Sequence, residues 1–195
     1  HELRTPLSTM TLVSDLLKSG HELTPAERDR LWKSHSLELD RLKTDVESLL
    51  QAARLRESRH QVNYVTIDLQ QFLDDKKQSF ESLLGPGATL TQQASDCSVQ
   101  IRVDPNLFEL ILRNLLDNAK KFSLGQPVVE LNARCSKKRF EISVRDHGLG
   151  FEPEKTKELF KRFSRIEPNS NQFREFAIPG TGLGLYLSAS ASRAM

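Results

Sequence analysis

Leu3, Leu7, Met10, Val13 and Leu17 follow one another at three- and four-residue steps, a spacing that lines one face of a helix over residues 1 to about 19. The stretch KSGHELTPAE then breaks the pattern. Gly20 suits a helix C-terminus, and Thr24, Pro25 and Glu27 form a start signal: an N-cap, a proline at the first helical position, and an acid three residues after the cap. A second helix is predicted from Pro25 to about Ser58. Its apolar positions, Trp32, His35, Leu39, Leu42, Val46, Leu49 and Ala53, alternate steps of three and four, which is a heptad seam. One shorter helix cannot cover a seam of that length. The expected solution is a homodimer in which two hairpins make a four-helix bundle. His35 lies on the seam and reads as a core or interface histidine rather than a ligand.

After the polar joint RESRHQVN the period changes. YVTIDL, TLTQQA, SVQIRVD, VVELNAR and RFEISVRD read as strands. In the last of them Phe140, Ile142 and Val144 alternate with Glu141, Ser143 and Arg145. Two helical stretches lie between, DLQQFLDDKKQSFESLL with Asp68 near its start, and DPNLFELILRNLLDNAKKFS with Asp104 as N-cap and Pro105 at its first position. Strands and helices interleave without strict alternation, which places the chain in the α+β class: a helical hairpin over residues 1–60, then an α/β sandwich over 61–195 with helices on one face of a mixed sheet.

Composition narrows the function classes. Charged residues make up 28% and apolar residues 37% of the chain, as in a soluble globular protein, and the formal net charge of +2 offers no bulk attraction to nucleic acid or to an anionic membrane. No apolar run approaches the roughly 20 residues of a membrane span, and no signal peptide is visible. The fragment is therefore expected in the cytoplasm, making no membrane contact of its own, with any anchor of the parent protein upstream of His1. Cys97 and Cys135 show no CxxC spacing and are expected to be reduced thiols.

Four stretches carry chemistry. In HELRTP a zinc-protease helix would need a second histidine at the fifth position, and that residue is Thr5, so zinc is excluded. In NLLDNAKKFS, Asn114, Asn118 and Lys121 fall at i, i+4 and i+7 on one side of an otherwise apolar helix. The stripe is compatible with plain solvation, but amide oxygens suit a hard cation such as Mg²⁺ and a lysine suits phosphate. DHGLG ends a strand with an acid and two alternate glycines. Asp146 can accept from an exocyclic amine such as adenine's, and Gly148 and Gly150 allow close approach to the backbone; ordinary turns share the pattern. GTGLGL, from Gly180, precedes a helical run, so its N–H groups sit at a positive helix end suited to phosphate; a flexible hinge is the alternative. Between the glycine motifs, LFKRF opens a segment of lid-like length. Arg162 and Arg165 there are either phosphate contacts or surface charges.

In this order the motifs resemble those of the sensor histidine kinases of two-component signalling: HELRTP the H-box, NLLDNAKKFS the N-box, DHGLG the G1 box, LFKRF the F-box and GTGLGL the G2 box. The resemblance covers essentially the whole chain. It implies a dimerisation and histidine-phosphotransfer hairpin followed by a Bergerat-type ATP-binding domain. That domain is C-terminally incomplete here, because the family's sandwich continues past the G2 helix. It further implies that His1 is the phosphoacceptor, Glu2 its adjacent acid, and Thr5 the position that helps place water for dephosphorylating a regulator. Asn118 matches the Mg²⁺ ligand and Lys121 a phosphate contact, with Phe122 closing the N-box. Asp146 matches the adenine-reading acid, with Gly148 and Gly150 shaping its pocket. Gly180, Thr181, Gly182, Leu183 and Gly184 match the phosphate-side loop. Asn114 stands where related hydrolytic ATPases carry a glutamate, and an amide cannot act as a general base.

The implied activity is autophosphorylation of His1 from Mg-ATP and transfer to a response-regulator aspartate, with phosphatase activity toward that regulator. A hydrolytic ATPase on the same fold and an inactive dimerisation scaffold are the rival readings. Pro6 cannot donate to the carbonyl of Glu2, so the first helix is expected to bend beside His1.

Overall fold

The hairpin helices form where the apolar steps place them. In the computed structural model, which describes residues 4–18, 24–56, 62–95, 100–136, 139–164, 180 and 182–195, α1 runs Arg4–Lys18 and α2 runs Pro25–Arg56. His1 and Glu2 lie outside the described residues. Thr5 and Pro6 fall within α1, but their side chains are not described.

At the head of α2 the start signal is built as a reciprocal cap. Glu27 N donates to Thr24 Oγ1 at 3.3 Å and Thr24 N donates to Glu27 Oε2 at 2.9 Å. The Thr24 hydroxyl, donating to the same carboxylate at 2.6 Å, and the Thr24 backbone N–H hold the Glu27 carboxyl below its ordinary pKa. A lowered carboxylate pKa stabilises the fold above the unfolded-state value, and the gain is lost as pH falls through the folded-state value. Thr24→Ala is expected to cost roughly 1 kcal/mol in urea unfolding at neutral pH, as N-cap losses do. The difference from wild type should shrink in acid.

Val13 of α1 is buried, whereas Trp32, Leu39 and Val46 of the seam are exposed. His35 is half-buried, edge-on to Trp32 with ring centroids 5.9 Å apart, and its Nδ1 has no partner among the described residues.

The chain divides into two compact units, His1–Ala53 and Arg54–Met195. The expected boundary at 60/61 falls on residues outside the described set. The second unit holds β1 (Val65–Asp68), α3 (Leu69–Leu84), β2 (Thr89–Ser95), β3 (Gln100–Val103), α4 (Pro105–Lys121), β4 (Val128–Cys135) and β5 (Phe140–Asp146). A 3₁₀ turn (Pro153–Lys155), the short α5 (Thr156–Leu159) and α6 (Gly184–Ala194) follow.

Helix α4 starts where Asp104 and Pro105 require. The Asp104 carboxylate, 3% exposed, accepts from Asn106 N at 3.0 Å and Leu107 N at 3.2 Å through Oδ1, and from Asn63 N at 2.9 Å through Oδ2. Leu112, Leu116 and Ala119 on its apolar side pack with Leu69, Leu73 and Phe80 of α3 and with Val129, Leu131 and Ala133 of β4 into one core. The alternation along β4 sends those three inward and leaves Glu130 and Asn132 half-buried.

The sheet departs from the single mixed sheet expected. β2 pairs parallel with β4, which pairs antiparallel with β5, in the order β2-β4-β5. β1 and β3 instead make a separate antiparallel pair, Val65 opposite Val103. Alternation along a strand marks its buried face but not its partner, so this division is invisible in the periodicity. The cysteines depart as well: Cys135 is disulfide-bonded, not a reduced thiol. The β2–β4 register ends with Ser95 opposite Arg134. Cys97, the other cysteine of the chain, lies outside the described residues.

Candidate functional site

Three segments far apart in sequence meet at the C-terminal half of α4. Burying Leu112, Leu116 and Ala119 turns Asn114, Asn118 and Lys121 to the opposite side, where all three are half-buried. The Nδ2 atom of Asn114 is buried and has no hydrogen-bond partner among the described residues. A buried amide donor left unpaired is costly, so this is a place where an acceptor from outside the chain would be welcome. Lys121 Nζ pairs with Asp117 Oδ2 at 2.5 Å.

The strand-end motif is fastened directly to α4. Phe122, at the C-terminal cap of the helix, accepts through its carbonyl oxygen from Leu149 N at 3.0 Å. Its contribution is thus made by the backbone, which ties DHGLG to the end of the stripe. Asp146, paired with Val129 across β4 and β5, accepts from Gly148 N at 2.9 Å through Oδ1. A Cβ on Gly148 would run into the Phe122 carbonyl and stand 2.8 Å from Asp146 Oδ1, so the loop closes only with glycine there. Gly150 has φ +62 and open space around it. His147 Nε2 lies 3.0 Å from Glu130 Oε1.

The glycine loop before α6 faces the same stripe. A Cβ on Gly184 would be 3.6 Å from Asn114 Oδ1, and one on Gly180 would be 3.9 Å from Lys121 Nζ. Leu183 is fully buried and anchors the loop, and as the N-cap of α6 it makes no side-chain cap hydrogen bond. The first amide groups of that helix, at its positive end, suit an anion. Gly182 has φ +66, and its missing Cβ would stand 2.5 Å from Ser164 O and 2.8 Å from Phe163 C. The end of LFKRFS therefore packs backbone to backbone on the glycine loop. Arg162 lies over the rings of Phe163 and Tyr186, 5.4 Å and 5.5 Å from their centroids.

Of the residues singled out from sequence, Asn114, Asn118, Lys121, Phe122, Asp146, Gly148, Gly150, Gly180, Gly182, Leu183 and Gly184 belong to these three segments, and Arg162 to the LFKRFS segment packed on the last of them. Thr181 and Arg165 lie outside the described residues. Sequence reading passed over Asp117, whose i, i+4 spacing to Lys121 signalled the pair. It also passed over Ser164, His147 and Tyr186, whose contacts are tertiary. No group of three or more His, Cys, Asp or Glu side chains that could hold a metal occurs among the described residues. A cation here would depend on amide oxygens and on its own ligand's oxygens, the donor set a hard ion such as Mg²⁺ accepts.

The family described as Histidine kinase-, DNA gyrase B-, and HSP90-like ATPase matches residues 103–195, which include all three segments. Sensor histidine kinase MtrB of Mycobacterium leprae is 32% identical over 195 residues, spanning 99% of this chain and 34% of that protein. Sensor protein kinase WalK of Staphylococcus haemolyticus is 26% identical over 200 residues, 96% of this chain and 30% of that one. The chain thus spans about a third of the length of these curated relatives. Among solved structures, Acinetobacter baumannii histidine kinase AdeS covers 100% of this chain and 87% of its own with a TM-score of 0.75, and its 22% identity makes that a likeness of fold. Full-length ShkA in complex with AMPPNP covers 100% of this chain and 39% of its own, with a TM-score of 0.70 and 26% identity. The chain is thus similar along nearly its whole length to sensor histidine kinases, and its residues 103–195 match the histidine kinase-, DNA gyrase B- and HSP90-like ATPase family.

Proposed function

We propose that the chain moves the γ-phosphoryl group of ATP onto His1 and passes it to an aspartate on a response-regulator receiver domain. The observation that carries this reading is the approach of the glycine loop before α6 to Asn114 and Lys121, on the stripe that also holds Asn118, with a donor at Asn114 unpaired among the described residues. The nucleotide bound by ShkA, AMPPNP, is an ATP analogue, which is the ligand class this site would take.

Each group has a task. Asp146 reads the adenine amine, and Gly148 and Gly150 let the base approach the backbone. Gly180, Thr181, Gly182, Leu183 and Gly184 offer backbone N–H groups to the phosphates. Lys121 leaves Asp117 to pair with phosphate oxygens, and Asn114 Nδ2 donates toward the nucleotide. Asn118 would hold Mg²⁺ through its amide oxygen, and the ion supplies positive charge against the polyphosphate. On the acceptor side, the neutral form of the His1 imidazole is the one that attacks phosphorus, because the nucleophile is a nitrogen lone pair. An N–P bond forms, the bond from phosphorus to the β–γ bridging oxygen breaks, ADP leaves with the electron pair, and the ring proton passes to Glu2. Thr5, one turn along α1, serves the reverse task of placing water for regulator dephosphorylation.

The amide at position 114 supports transfer over hydrolysis, because it cannot take a proton from water. The exposed Trp32, Leu39 and Val46 support a homodimer that buries the seam between two hairpins. No helix among the described residues is long and apolar enough to cross a membrane. ATP as substrate puts the reaction on the cytoplasmic side. Incubation with γ-labelled ATP tests the reading: label should appear on the protein. Steady release of phosphate without labelled protein would favour the hydrolytic ATPase. Neither label nor binding of an ATP analogue would favour the scaffold.

A further inference from the structure

Arg162 is a cation without a counter-ion. No carboxylate among the described residues pairs with it. Its guanidinium instead lies against two rings, Phe163 beside it in sequence and Tyr186 in the first turn of α6. A ring face attracts the positive charge without accepting from the N–H donors as a carboxylate would, so those donors are left for an anion. A carboxylate partner would have consumed those donors.

The backbone around Arg162 is held in an unusual state. Phe163 has φ +59 and is the one non-glycine residue with positive φ among those described. A bulky residue adopts that conformation only when its surroundings fix it. Here Gly182 packs on the Phe163–Ser164 peptide, and the Arg162 side chain next to it lies over Tyr186. Both contacts come from one stretch: Gly182 leads into α6, and Tyr186 stands one turn further on.

We infer that Tyr186 is a positioning residue. Its ring holds the Arg162 guanidinium at the rim of the glycine loop with the donors unspent, so that Arg162 meets the terminal phosphate of the nucleotide. The ring face does this work, and the hydroxyl is dispensable. The inference rests on the ATP reading above and assigns one part of that site its discrimination between triphosphate and diphosphate.

The test is the affinity of the whole chain for Mg-ATP and for Mg-ADP, by calorimetry, in wild type, Tyr186→Phe, Tyr186→Leu and Tyr186→Met. Tyr186→Phe should keep the wild-type ratio of ATP to ADP affinity. Tyr186→Leu and Tyr186→Met, which remove the ring, should lower the ratio about fivefold through ATP alone, within the range of a desolvated cation–π contact. ADP affinity then serves as the control for an intact fold. Arg162→Ala should lower the ratio as well and should add nothing further in the Tyr186→Leu background. An unchanged ratio in Leu and Met, an equal loss in Phe, or additive losses with Arg162→Ala would overturn the inference while leaving ATP binding in place. Failure of the wild type to bind ATP would overturn the nucleotide reading itself, and this inference with it.

Discussion

Asn118→Ala is expected to lower phosphorylation of the chain by about a hundredfold, roughly 2.7 kcal/mol of transition-state stabilisation. The fold should hardly respond. Asn118 is half-buried on the polar side of α4, and the core beneath it is made by Leu112, Leu116 and Ala119. Its backbone carbonyl, which accepts from Phe122 N at 3.0 Å, survives the substitution. The lost group is an amide oxygen, and the proposed loss is of the cation it would hold. The effect should therefore fall on Mg²⁺ dependence. The concentration of Mg²⁺ giving half-maximal label should rise, while the unfolding midpoint in urea stays within about 0.5 kcal/mol of wild type, as for most substitutions outside a core. An unfolding midpoint that collapses, or a rate that holds, would remove Asn118 from the site.

Gly182→Ala should be damaging for a different reason. Two costs coincide there. A left-handed backbone disfavours any side chain by about 1–2 kcal/mol, and the new Cβ would stand 2.5 Å from the Ser164 carbonyl oxygen. That neighbour is backbone, which cannot swing aside as a flexible side chain can. The LFKRFS segment or the loop must move, and either displacement opens the cradle. ATP affinity is expected to fall at least about tenfold, equivalent to 1.4 kcal/mol. Gly125→Ala, in the turn between α4 and β4, supplies the contrast. Its φ of +94 carries a conformational cost as well, but nothing lies within 4 Å of its missing Cβ. It should lose only stability, in the range of the conformational term. Equal affinity losses in both variants would show that strain, and not the contact with Ser164, governs the loop.

The contrast between those glycines marks where reading the sequence stops being sufficient. Local rules were enough for the helices. Asp104 with Pro105 and Thr24 with Glu27 place the starts of α4 and α2 through hydrogen bonds that span at most a few residues. The stripe Asn114, Asn118 and Lys121 follows from 3.6 residues per turn, and so does the Asp117–Lys121 pair. The site beyond α4 is made of contacts with no periodic signature. Nothing in DHGLG says that Gly148 must clear the Phe122 carbonyl, and nothing in GTGLGL says that Gly182 meets Ser164. Arg162 looked like a phosphate ligand or a surface charge, and its place between Phe163 and Tyr186 appears only once α6 is packed. The same holds for the sheets. Burial patterns identified the strands, but the choice of β3 as partner for β1, and of β4 for β2, is a property of the chain's path.

The central claim is that the nucleotide bound at α4 and the glycine loop gives its γ-phosphoryl group to His1. Wild type and His1→Gln, incubated side by side with γ-labelled ATP and Mg²⁺, test it most directly. The account predicts label on the wild-type protein that is lost in acid and stable in base, as a phosphorus–nitrogen bond to imidazole is. It predicts no label on His1→Gln, with ATP affinity unchanged. Acid-labile, base-stable label on His1→Gln at the wild-type level would contradict it.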